Sequence, residues 1–215
     1  MTQRRAGAGR RKKGSGAIAK SYDRAYFDRW YRDPRRRVAT SADVARKARL
    51  VIGVAEALLQ RPVRSALDIG CGEGAWRQAL RALRPGLRYV GVDSSAYVVS
   101  RFGRARGIRY GTFASLATSE LEGPFDLVIC CDVLQYVPTA DLSRGLEAVA
   151  GLLTGVTYLE AYTTADDVIG DRTGWFHRPP AFYRRAFGRA GLTGVGMHCW
   201  VGEHLRDATA ALERA

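Results

Sequence analysis

The stretch Leu67-Asp68-Ile69-Gly70-Cys71-Gly72-Glu73-Gly74-Ala75-Trp76 constrains the fold more than any other part of the chain. A short apolar strand runs straight into three glycines on alternate positions. Glycine loses the most backbone freedom on folding, so such a run is kept where the backbone needs positive φ or where something must approach closely. A strand, a glycine turn and a helix start leave N–H groups pointing outward at the strand's carboxyl end, where open α/β sheets bind ligands. The spacing narrows the ligand. Dinucleotide sites use G-x-G-x-x-G with a pyrophosphate over the helix N-terminus, whereas this turn is G-x-G-x-G and follows an acid, Asp68. An acid there repels a pyrophosphate and suits a ligand that carries an ammonium group.

Two more landmarks follow in order. Arg88-Tyr89-Val90-Gly91-Val92-Asp93 reads as a second strand ending in an acid, and Gly123 to Leu134 reads as a buried strand and the turn after it. With all three, roughly residues 64 to 162 resemble the class I S-adenosylmethionine-dependent methyltransferases. The resemblance implies an α/β fold, a doubly wound, mostly parallel sheet of six or seven strands with helices on both faces. It implies S-adenosyl-L-methionine as the cofactor, with Asp68 and the backbone of Gly70, Cys71 and Gly72 at its methionine moiety. Asp93 would accept both ribose hydroxyls, and Ser94 would lie beside the adenine. After the third strand such enzymes often carry an acid for the adenine amino group. Here Thr112 and Phe113 stand in that region, and Thr112 is a weaker acceptor. Asp132 completes the implied cofactor set, at the head of the turn that lies under the transferring methyl.

A sulfonium methyl donor is intrinsically activated, so the protein must chiefly place and desolvate a nucleophile, and no obligatory catalytic residue is expected. Gln135, Tyr162 and Trp175 are the expected substrate contacts. Gln135 can orient an acceptor but cannot serve as a base. His177 is the first candidate for a base, because histidine titrates near neutral pH and this one lies in the loop beyond the fifth strand. Tyr136 is a second candidate. Glu160, a charge inside a strand, is expected to be a paired structural acid or a neighbour of the cofactor. No metal-ligand pattern is present.

At 215 residues and 47% hydrophobic, the chain suits one α/β domain. The longest apolar runs fall far short of the ~20 residues of a membrane span, and the N-terminus lacks the apolar core of a signal peptide, which together suggest a cytoplasmic protein. Cys71, Cys130, Cys131 and Cys199 sit in strand or turn contexts and read as free thiols. Much of the formal charge of +13 lies in residues 1–20, which hold seven basic groups and no acid and are expected to be a disordered tail. Arginine far outnumbers lysine in an alanine- and glycine-rich chain, a composition that suggests a GC-rich bacterial genome.

Residues 21–215 are expected to form the single domain, with N-terminal helices or a lid over 21–60, a cofactor-binding core over 64–162, and a substrate loop and sheet completion over 163–215. Tyr22, Tyr26, Phe27, Trp30 and Tyr31 share one face of a short helix. Ser41 then caps a helix running to about Gln60. The alternation continues with strand 64–69, helix 74–84, strand 88–93, helix 95–106, strands 108–112 and 125–131, helix 141–153 and strand 155–162. Pro179 and Pro180 open another helix, and Leu192 to Val201 reads as a strand. The last stretch, Ala208 to Glu213, reads either as a closing antiparallel strand or as a terminal helix.

Three functions compete at this stage. Methyl transfer to O or N of a small molecule leads, because no recognition domain is appended to the core. An RNA methyltransferase using the basic tail is the alternative, but neither the Asn/Asp-Pro-Pro-Tyr/Phe signature nor the paired cysteines of nucleic-acid methylation occur. A non-catalytic cofactor-binding module is the third. The acceptor and the oligomeric state stay open.

Overall fold

The computed structural model describes residues 20–168 and 170–212. The basic tail expected over residues 1–20 lies outside them except for Lys20. Seven strands form one sheet in the order β3-β2-β1-β4-β5-β7-β6. They are β1 (Ser65–Ile69), β2 (Arg88–Asp93), β3 (Ile108–Tyr110), β4 (Phe125–Cys131), β5 (Leu153–Glu160), β6 (Thr193–Gly196) and β7 (Cys199–Val201). The first five are parallel, and β7 runs antiparallel between β5 and β6. The chain builds outward from β1 to β3 and then returns to place β4 on the other side of β1. That reversal opens a crevice at the carboxyl ends of β1 and β4, where sheets of this kind bind ligands.

Every residue of β1 is buried, as expected of a strand covered on both faces. Leu67, Ile69, Val128 and Cys130 pack with α5 (Thr139–Leu152) and α6 (Pro180–Arg189) on one side. Ala66, Leu127, Ile129 and Val156 pack with α2 (Ser41–Leu59) and α3 (Ala75–Leu83) on the other. Period-two alternation also sends Cys130 and Cys131 to opposite faces. All four cysteines are free thiols. A fifth helix, α4 (Ala96–Arg106), begins after Ser95, whose hydroxyl accepts from the Val98 N–H at 3.1 Å.

The structure corrects several expectations. Thr40, not Ser41, caps α2, because Thr40 and Asp43 form a reciprocal capping box in which each side chain accepts from the other's backbone N–H. α5 passes into β5 at Leu153 without a linker, so the strand ends at Glu160 and leaves Tyr162 in the loop beyond. The stretch 192–201 is a hairpin and not one strand, because Gly196, Met197 and His198 all adopt positive φ and reverse the chain. The antiparallel partner of β5 is therefore β7; residues 203–208 form a 3₁₀ turn, and of the stretch 208–213, expected as a strand or a helix, residues 209–212 are neither while 213 lies outside the described residues. β3 ends at Tyr110, short of the expected 112, and a 3₁₀ turn over Ala114–Thr118 follows before β4. It lies close against α5, where a Cβ on Gly145 would come within 2.1 Å of the Phe113 ring.

Candidate cofactor and acceptor site

Gly70, Gly72 and Gly74 have φ of +69°, +50° and +82°, so all three need the conformation that side chains disfavour. Sequence reasoning expected outward N–H groups here, and the structure corrects it. Gly70 and Cys71 both donate to the Val92 carbonyl, Gly72 donates to Asp93, and Gly74 donates to the Cys71 carbonyl. The turn's N–H groups at these positions are thus consumed by β2 and by the turn itself. What the end of β1 itself presents to the crevice is an acceptor, the Asp68 carboxylate, which suits a ligand group that donates.

Asp68 closes β1 at 2% exposure and accepts from the Tyr89 hydroxyl at 2.6 Å. Burial pushes its carboxyl up to about 7, against that hydrogen bond and with help from Asp93. Asp93 ends β2, and its two oxygens accept at 2.8 Å from Gly72 N–H and Ser95 N–H. It therefore ties the glycine turn to the start of α4 before any ligand arrives. Asp132 follows β4 at φ +59°, and burial raises its carboxyl to about 6 despite a hydrogen bond from Gln135.

Asp68 and Asp132 line a crevice in two chambers, whereas Asp93 lines neither and reaches the crevice only through the glycine turn it holds. The larger, about 650 Å³, is lined by Asp68, Gly70, Cys71, Gly72 and Asp132, with the Lys47–Glu160 pair on its wall. Lys47 Nζ stands 2.7 Å from both Glu160 oxygens, so the charge inside β5 is a paired acid bordering the crevice. The smaller chamber, about 270 Å³, is lined by Ser94, Thr112, Phe113, Gly70 and Tyr22. Two chambers meeting at Gly70, with acids at the β1 and β2 ends, fit S-adenosylmethionine. Asp68 and the glycine turn would hold its amino-acid portion, Asp93 its ribose, and Ser94, Thr112 and Phe113 its adenine.

The aromatic segment roofs this crevice. A four-residue helix, α1 (Arg24–Phe27), is capped by Asp23 and continues as a π-turn over Asp28–Arg32. Phe27 is buried over the glycine turn, and a Cβ on Gly72 would lie 3.3 Å from its ring. Arg32 bonds Glu73 of the turn, and Ser95 donates to the Tyr22 carbonyl. Neither Arg32 nor Glu73 was singled out from sequence. Their pairing spans forty-one positions, and no local pattern announces it.

On the far side, the loop after β5 is stitched to the turn after β4. Phe176 N–H donates to the Gln135 carbonyl, Tyr136 OH donates to the Asp171 carbonyl, and buried Arg178 donates to the carbonyls of Leu134 and Val137. Arg178 was also missed from sequence. This stitching stacks Trp175 on Tyr162 with centroids 6.0 Å apart, and both line the crevice beside Asp132. It also turns His177 outward. His177 is exposed and lines none of the described cavities, which removes the geometric basis for it as a base. Gln135 is fully buried with its amide on Asp132, so it positions that carboxylate and does not face an acceptor. Tyr136 does line the site, but its hydroxyl is committed to a carbonyl, and burial holds its pKa well above the usual phenol range. It contributes a ring, not a base.

Residues 67–155 match the family described as a methyltransferase domain. No curated protein matches the chain. Several solved structures resemble it. A SAM-dependent methyltransferase from Archaeoglobus fulgidus aligns with TM-score 0.60 and 15% identity over 78% of this chain and 73% of that one. The sugar N-methyltransferase KedS8 from a Streptoalloteichus species aligns with TM-score 0.59 and 21% identity over 87% and 91% of the two chains. Magnesium protoporphyrin IX methyltransferase from Synechocystis, with bound SAH, aligns with TM-score 0.56 and 21% identity over 80% and 89%. The family match over residues 67–155 and the seven-stranded order around it give the chain a methyltransferase domain with the fold of the S-adenosylmethionine-dependent methyltransferases.

Proposed function

We propose that the chain methylates an oxygen or nitrogen of a small-molecule acceptor. The observation that carries this reading is the roof. Residues 22–32 cover the crevice from the same chain, and the space left beside Asp132 is narrow and walled by rings. A narrow pocket of that kind admits a small molecule or a single side chain, whereas a polynucleotide needs an open, basic groove. When bound, S-adenosylmethionine supplies an activated methyl on a sulfonium. The residues of this chain then have three tasks. Asp68, the glycine turn and Asp93 orient the cofactor; Phe27 and the Arg32–Glu73 pair keep water out; Tyr162 and Trp175 hold the acceptor. The lid role of residues 21–60, like each of these assignments, is part of the proposal.

The sugar N-methyltransferase and porphyrin methyltransferase among the structural neighbours act on small molecules and agree with this reading. No helix among the described residues is long and apolar enough to cross a membrane. We take the enzyme to be bacterial on its arginine-, alanine- and glycine-rich composition and cytoplasmic on the shortness of its apolar runs. The test is mass-spectrometric detection of methyl-donor-dependent products in fractionated lysate, with and without nuclease. Products that survive nuclease support the proposal. Products lost to nuclease transfer the function to RNA and to the basic tail.

A further inference from the structure

We infer that the pocket beyond Asp132 is a cation box for the amino group of the acceptor, so that the enzyme methylates an alkylamine. The inference deepens the small-molecule reading and rests on it. Six aromatic side chains (Tyr26, Trp30, Tyr31, Tyr136, Tyr162 and Trp175) and two carboxylates (Asp132 and Asp171) line a void of only about 20 Å³. Rings with acids are the chemistry that recognises a positive nitrogen, through ring quadrupoles and charge-assisted hydrogen bonds.

An ammonium already sits at the edge of this box. Lys20 Nζ lies 3.7 Å from the centroid of Tyr136, 5.1 Å and 5.3 Å from those of Tyr22 and Tyr26, and 2.8 Å from an Asp171 oxygen. Tyr26, Tyr136 and Asp171 thus belong both to the lining of the void and to the cradle of the lysine. The lysine side chain is 13% exposed, which is low for a residue type that is almost never buried without a partner. Arg29 and Arg172, also near these rings, are exposed, with guanidiniums 5.3 Å from the Trp30 centroid and 6.0 Å from the Trp175 centroid, and Arg172 donates to the Val168 carbonyl. Burial lowers the Lys20 ammonium's pKa even against Asp171: desolvation outweighs the acid's pull and eases deprotonation to the amine that can act as a nucleophile. Asp132, whose carboxyl burial raises to about 6, is the group placed to take that proton; the amine lone pair then forms the N–CH₃ bond as the S–CH₃ bond of the methyl donor breaks, and S-adenosylhomocysteine leaves.

The same chemistry could come from a free amine or from a lysine side chain, Lys20 included. We commit to the free amine, with Lys20 as its stand-in until the acceptor displaces it. In Lys20→Ala the removed atoms correspond to n-propylammonium, which is the probe, with n-propanol as its uncharged counterpart. Binding is followed by tryptophan fluorescence and ligand-observed NMR, since Trp30 and Trp175 line the box. The expected result is n-propylammonium bound about tenfold more tightly by Lys20→Ala than by the parent chain, and about tenfold more tightly than n-propanol, with the gain lost in Lys20→Ala/Asp171→Asn. Equal affinity for the two probes, or no gain in Lys20→Ala, overturns the inference. S-adenosylhomocysteine titration of the same proteins separates the two levels. If S-adenosylhomocysteine binds and the amine does not, only the cation box is refuted. If neither binds, the methyltransferase reading of the site falls and the inference falls with it. Mass spectrometry of the parent chain incubated with S-adenosylmethionine is the last arm. A methyl group appearing on Lys20 makes the chain's own lysine the acceptor and overturns the commitment to a free amine.

Discussion

Replacing Asp93 by alanine tests the site and the fold together. The carboxylate holds two backbone donors at 2.8 Å, Gly72 N–H in the glycine turn and Ser95 N–H at the start of α4, and it is 8% exposed. A buried donor left without an acceptor costs about 1–3 kcal/mol, so the two together cost roughly 2–6. Water entering from the adjoining crevice recovers part of this, which leaves about 2–4 kcal/mol. For a chain of this size that corresponds to a fall of about 5–12 °C in the thermal midpoint of the ligand-free protein. Asp93→Asn retains one acceptor oxygen and should lose about half as much. The same substitution removes the proposed ribose contact, and calorimetric titration with S-adenosylhomocysteine should show affinity for the Ala variant reduced about thirtyfold or more. A midpoint within about 1 °C of the parent would refute the argument that these two bonds hold the turn. A dissociation constant within about twofold of the parent would refute the ribose assignment while leaving the structural one standing.

Other expectations follow from the same geometry. Gly72→Val places a β-branched residue at φ +50° and a Cβ 3.3 Å from Phe27, so cofactor binding by calorimetry should vanish while circular dichroism keeps most of the fold. Burial raises Asp68 to about 7, above its unfolded value, so the ligand-free fold should lose stability as pH rises from about 4 to 7, while the unfolded state gives up its proton and the folded state retains it. A ligand ammonium favours the carboxylate, so cofactor affinity should rise with pH up to about 7, and titrations in buffers of different ionisation enthalpy should detect proton release below that pH. Asp68→Asn should stabilise the ligand-free protein at alkaline pH in thermal melts and weaken the cofactor. Arg32→Ala removes a partly exposed latch worth at most about 1 kcal/mol, so the melting temperature should barely move, but stopped-flow release of the cofactor should quicken several-fold. Deleting residues 1–19 should leave both the thermal midpoint and cofactor affinity unchanged.

What could be read in advance tracks how local its physical cause is. The glycine turn, the acid at the end of β2 and the apolar run of β4 each announce themselves within about ten residues, because positive φ, strand alternation and double burial constrain adjacent positions. The alternation of strands and helices then left few topologies to choose among. The hairpin at Gly196-Met197-His198 was misread because Met and His are not turn formers. Their positive φ is imposed by the pairing of β6 and β7 with the sheet, a constraint that no window of ten residues contains.

The site divides along the same line. Positions fixed by the backbone they sit on, such as Asp68 at the end of β1 and the glycine turn after it, were legible in the sequence. Those whose role comes from which way a loop faces were not. His177 looked like a base because histidine is chemically suited to be one, yet Arg178 beside it is buried against the carbonyls of Leu134 and Val137, and that anchoring leaves His177 in solvent. The same anchoring brings Trp175 against Tyr162 and sets Asp171 opposite Lys20. One buried arginine therefore both removes the expected base and assembles the aromatic, acidic wall of the acceptor pocket. Arg178→Leu should consequently impair acceptor binding far more than cofactor binding, since its partners lie in the turn after β4 and not in the glycine turn. Paired calorimetric titrations measure the two directly. Equal losses in both would mean that Arg178 supports the fold as a whole and would undo this account of how the pocket is built.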